Sequence, residues 1–174
     1  MRSKKKLVLL LSCLAATAAF STASISTEYY KSKNTSTLSC QPASNDEHAS
    51  DGLRYAKSGL TNVGKHKTVT VRCPVNLDGE TEGSSYTYDI HLIAKGTANK
   101  AARTLKCALT EVASANRSKK QIQVRSADIT GTSVKSLSWL GVEKLAVNGE
   151  SAFTLECKLP PKVGLANITV KRMG

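Results

Sequence analysis

Four cysteines, Cys40, Cys73, Cys107 and Cys157, are the residues of this 174-residue chain whose type and spacing point most directly to chemistry. Neither a Cys-x-x-Cys pair nor a closely spaced Cys/His set occurs among them, so a zinc site is not indicated. The fifth cysteine, Cys13, falls in the export signal expected at residues 1–23, and the even number then left in an exported chain indicates disulfides instead. Four cysteines allow three pairings, and sequential pairing is preferred because Cys40 with Cys73, and Cys107 with Cys157, ties neighbouring segments together. The other reactive side chains are sparse. His48 and His66 fall in loops, and His91 occupies an outward strand position. Asp78, Glu80 and Glu82 alternate in a glycine-flanked loop. Their spacing does not match an EF-hand, and a solvated hairpin tip is the simpler reading. Asp46, Glu47, His48 and Asp51 form a similar polar loop.

No Gly-x-Ser-x-Gly elbow, His-Glu-x-x-His helix, P-loop or Rossmann fingerprint is present. No catalytic residue, metal or cofactor is therefore expected. The basic residues carry more information. Lys65, Lys67 and Arg72 surround one central strand, Arg125 faces outward on another, and Lys158, Lys171 and Arg172 decorate the last two. If those outer faces belong to one sheet, they make a basic plateau suited to an anionic partner: a polysaccharide, a lipid headgroup or an acidic protein. Nucleic acid is disfavoured, because stacking platforms need exposed aromatics. Tyr86, Tyr88, Trp139 and Phe153 are claimed by the core.

The compartment follows from the start of the chain. Arg2, Lys4, Lys5 and Lys6 precede two apolar runs, Leu7 to Leu11 and Leu14 to Phe20, and Ser21-Thr22-Ala23 supplies small residues for cleavage. Residues 1–23 are expected to be an export signal too short to span a bilayer. Leu10-Leu11-Ser12-Cys13 loosely matches a lipobox, but too little apolar sequence precedes Cys13 for lipidation. Removing four basic and no acidic residues from a chain of net charge +12 leaves 21 basic against 13 acidic, or +8.

The elements that must position these groups are strands. Thr68 to Cys73 alternates strictly, with Val69, Val71 and Cys73 inward and Arg72 outward, before Pro74 removes a ladder donor. Phe153 to Leu159 repeats the design and stops at Pro160. Tyr86 to Ile93 and Thr104 to Thr110 alternate in the same way, with Cys107 inward. Gln121 to Arg125 is read as a short strand with Ile122 and Val124 inward, and Ala166 to Lys171 as the last, with Ala166, Ile168 and Val170 inward. Gly59 to Gly64 looks like a turn and Ile129 to Gly141 looks irregular. Eight to ten short strands with no helical run predict an antiparallel β-sandwich, immunoglobulin-like or related, whose two sheets are stapled by disulfides. Residues 24–37 are expected to form a flexible arm and 38–174 a single domain.

Gly59-Leu60-Thr61-Asn62, Val71-Arg72-Cys73-Pro74-Val75, Leu105-Lys106-Cys107-Ala108-Leu109 and Leu155-Glu156-Cys157-Lys158-Leu159-Pro160 together resemble small exported bacterial β-sandwich proteins of uncharacterised function. That resemblance implies a disulfide-bonded sandwich in the periplasm or medium, and it transfers no activity. Three functions follow: a non-enzymatic binding module, a hydrolase with loop residues such as Asp46, His48 and Asp78, and an assembly subunit that donates the Tyr29-Tyr30 arm to a sheet edge.

Overall fold

The computed structural model describes residues 31–43, 51–77, 87–97, 102–113, 119–143 and 151–173. They form eleven strands: β1 (Lys31–Ser36), β2 (Gln41–Pro42), β3 (Leu53–Ala56), β4 (Gly59–Asn62), β5 (Val69–Val75), β6 (Thr87–Gly96), β7 (Arg103–Ala113), β8 (Lys119–Ile129), β9 (Val134–Glu143), β10 (Ser151–Leu159) and β11 (Val163–Met173). One sheet runs β3-β4-β11-β6-β9, with β1 also paired to β11; the other runs β2-β5-β10-β7-β8. All pairings are antiparallel. The chain is an antiparallel β-sandwich.

Alternation builds the core. In the five-stranded sheet Cys73, Leu155 and Leu109 form one inward row and Val71, Cys157 and Cys107 the next. In the facing sheet Ile90, Val170 and Trp139 make a row, as do Leu92, Ile168 and Leu137. These side chains are buried in a single cluster, and each fully buried aliphatic contributes about 1.5–3 kcal/mol. Side chains also close the two open sides of the sandwich. Trp139 Nε1 donates to the Gln123 carbonyl at 3.1 Å and Arg125 Nε to the Ser138 carbonyl at 3.1 Å, tying β9 to β8. Opposite, the Tyr55 hydroxyl donates to the Cys40 carbonyl at 3.1 Å.

Both expected disulfides form, Cys40–Cys73 and Cys107–Cys157. Neither joins the two sheets. Cys107 and Cys157 face each other on adjacent strands of one sheet, and Cys40–Cys73 pins the segment between the two sheets' first strands onto β5.

Several local expectations are corrected. Residues 31–36 of the supposed arm are a strand along β11, and Thr37 is buried with its hydroxyl donating to the Leu165 carbonyl at 2.8 Å. Apolar content was a poor guide there, because β1 is held by its backbone ladder. Residues 1–30, which include the expected signal and the Tyr29-Tyr30 pair, lie outside the described residues. Gly59 to Asn62 is a strand rather than a turn. Pro74 lies within β5, where the short β2 pairs only with Val71 and Arg72 and asks no hydrogen bond of it.

Bulges explain the other differences. Gly141 has φ +62°, and the register shifts between Tyr88 and Ile90, so Leu137, Trp139 and then Val142 point inward along one continuous β9. A register shift between Leu109 and Thr110 reverses part of β8. Val124 opposes the outward Ala108, and Arg125 opposes the inward Cys107. Ala166 is the extra residue of a third bulge in β11.

Candidate binding face

The outer surface of the five-stranded sheet is laid out by the cysteines beneath it. Since Cys107 opposes Cys157, the next residues must oppose each other too. Lys106 and Lys158 do so, both exposed, with Thr70 and Ser126 completing the row. Like charges directly opposite each other disfavour a sheet by about 0.2–1 kcal/mol. Neither lysine is in an ion pair with a described residue. The loop that carries Lys65 and Lys67 enters β5 at this same end.

Asn62 sets that loop. It is fully buried, and its Nδ2 donates to the Lys67 and Leu159 carbonyls, each at 2.9 Å, while its Oδ1 accepts from Gly64 N at 2.9 Å. All of its side-chain donors are thereby used.

The next row holds Gln41, Arg72, Glu156, Ala108 and Val124. Arg72 Nε donates to Glu156 Oε2 at 2.9 Å, with both side chains nearly half exposed. Beside Arg72 the edge strand β2 raises a wall, and a groove of about 400 Å³ opens between Gln41, Pro42, Arg72, Pro74 and Thr154. The wall is held in place by the bond from Ala43 N to the Thr70 carbonyl at 2.9 Å and by Cys40–Cys73 just below.

Arg72, Lys158, Lys65 and Lys67 of the seven basic candidates are thus gathered on or at the end of this face. Arg125 is turned away and used in closing the sandwich. Lys171 and Arg172 belong to the other sheet, where Lys171 opposes Asp89. Lys106 was missed as a candidate, although its outward position could be read from Leu105-Lys106-Cys107.

The outer face of the other sheet is polar but largely self-satisfied. Thr169 Oγ1 donates to Asn34 Oδ1 at 2.8 Å, and Asn167 Nδ2 reaches both at 3.3 Å. His91 Nδ1 meets Ser138 Oγ at 2.8 Å, and the Asp89 carboxylate accepts from the Gly141 bulge amide at 2.9 Å. His66 is exposed in the β4–β5 loop. Asp46, Glu47, His48, Asp78, Glu80 and Glu82 lie outside the described residues. Among the described residues no three His, Cys, Asp or Glu side chains gather to hold a metal ion, and no helix is long and apolar enough to cross a membrane.

No family model matches the sequence, and no curated protein does. Solved structures do match in fold. The xylan-binding module CBM15 superposes with a TM-score of 0.53 at 10% identity, over 82% of this chain and 97% of that one. A family 11 carbohydrate-binding module from Clostridium thermocellum, in complex with a β-1,3-1,4-mixed-linked tetrasaccharide, gives 0.36 at 11% identity, over 83% and 88%. The coat protein dimer of Tobacco streak virus gives 0.39 at 8% identity, over 84% and 85%. At such identities the likeness is one of architecture: the chain has the sandwich fold also found in the xylan-binding module CBM15.

Proposed function

We propose that this protein is an exported, non-enzymatic binding module that takes an anionic polysaccharide on the outer face of the β2-β5-β10-β7-β8 sheet. The observation that carries the reading is the directly opposed pair Lys106 and Lys158, two exposed cations on adjacent strands with no described carboxylate to pair them. An arrangement that costs a sheet stability is rational where a polyanion is the missing counter-charge. The basic balance of the chain, the disulfides and the fold shared with a xylan-binding module support it. The export signal expected at residues 1–23 and the disulfides support export. Among the described residues this face carries no aromatic platform, so charge and hydrogen bonding do there what ring stacking does elsewhere.

The test is titration of polygalacturonate, with neutral xylan as the uncharged comparison, by isothermal calorimetry at low and high salt. Binding of the acidic polymer that weakens steeply with salt, and falls about tenfold in Lys106→Gln/Lys158→Gln, is expected. Equal binding of xylan, or no effect of the double substitution, would remove the reading.

A further inference from the structure

We infer that the groove beside β2 is a subsite for the carboxylate of a uronic acid unit, an inference that rests on the binding face above and names the group it selects. The guanidinium of Arg72 is oriented before any ligand arrives. Its Nε is engaged by Glu156 Oε2 at 2.9 Å, and among the described residues it makes no other hydrogen bond. That bond turns the Nε edge of the group toward Glu156 and leaves the Nη1 and Nη2 edge as two parallel donors. A planar fork of this kind matches a carboxylate bidentately, whereas an ammonium offers only a point charge.

The surroundings suit a sugar. The volume of about 400 Å³ falls within the range of small-molecule sites. Gln41 and Thr154 supply amide and hydroxyl groups for ring hydroxyls, Ser39 Oγ can accept while it donates to the Ser36 carbonyl, and Pro42 and Pro74 form walls of restricted backbone. Gln41 pairs with Arg72 across the strands, and the neighbouring residues Cys40 and Cys73 are covalently joined. Little backbone ordering cost remains at binding. The Glu156 carboxylate cancels the charge of Arg72 locally, so attraction over distance falls to Lys106 and Lys158 in the next row, and Arg72 reads the shape of the anion.

Trigalacturonate and dextran sulfate, titrated into wild type, Arg72→Lys and Lys106→Gln/Lys158→Gln, separate these roles. Arg72 is exposed, and an unchanged thermal midpoint checks that each variant is folded. Arg72→Lys is expected to weaken trigalacturonate about tenfold while moving dextran sulfate by less than about twofold; the double lysine variant should weaken dextran sulfate most. Equal trigalacturonate affinity in wild type and Arg72→Lys would overturn the subsite while lysine-dependent polymer binding kept the face. Failure of wild type to bind either polyanion would overturn both. Polyglutamate held as tightly as polygalacturonate, and lost equally in Arg72→Lys, would overturn the sugar assignment in favour of an acidic peptide.

Discussion

Single side chains do disproportionate work where two sheets must be joined without a covalent link. Asn62 is the clearest case, since one buried amide holds the β4–β5 loop, the end of β10 and its own following turn. Asn62→Ala would strand two carbonyls and an amide N–H, and should cost about 3 kcal/mol in urea unfolding. Asn62 is visible in the sequence as the end of a Gly-x-x-Asn motif, but its partners Leu159 and Lys67 come from elsewhere in the chain, so no local pattern reveals its role. Tyr55 is a second case. Burial raises its pKa above the ordinary 10.0. The unfolded chain therefore loses this proton first, so Tyr55's contribution is complete below pH 10.0 and declines as pH rises towards the folded-state value. Tyr55→Phe should flatten the alkaline loss of stability expected in thermal melts between pH 9 and about 11, and should cost about 1 kcal/mol at neutral pH through the lost bond to Cys40.

At the scale of strands, legibility followed the period of two and failed where a bulge interrupted it. β5, β6, β7 and β10 were read with the correct inward residues because their alternation is unbroken over the core. β9 looks irregular in sequence because Gly141 resets the alternation before Val142, and simple alternation puts Arg125 on the wrong face because the bulge near Leu109 advances β8 by one residue. A slip of one residue exchanges the faces. The glycines that permit such geometry should differ in their tolerance. Gly141 has φ +62° with open space around it, so Gly141→Ala should cost about 1 kcal/mol of backbone strain. Gly59 has φ +113°, and a β-carbon there would collide with the Leu165 carbonyl and lie 2.9 Å from Ala166 Cα; Gly59→Ala should be much the more damaging in the same denaturation assay. The pairing of the cysteines was legible, their placement within one sheet was not, because sequence order does not say which strands are neighbours. Removing either bridge as a double Cys→Ala variant should lower stability by up to about 4 kcal/mol, given closed loops of 33 and 50 residues.

For the molecule as a whole, the basic balance pointed to an anionic partner, and the topology decides which cations can act together. Arg72 and Lys158 share a face with Lys106 because β5, β10 and β7 are neighbours; Lys171 and Arg172, as basic in sequence, are carried by the opposite sheet. Long-range strand order was hidden from the sequence, and with it the opposition of Lys106 to Lys158, which follows from the cysteine pair only because β7 and β10 are neighbours in one sheet. The lysine pair carries an internal test of purpose. If it exists for binding, Lys158→Gln should leave the fold as stable or slightly more so, by about 0.5 kcal/mol, through relief of like-charge repulsion. The most direct measurement is the affinity of that folded variant and of Lys106→Gln/Lys158→Gln for polygalacturonate, set beside their thermal midpoints. Affinity that falls about tenfold in the double variant while stability holds or rises is the predicted result. Unchanged affinity in a folded double variant would contradict the assignment of this face.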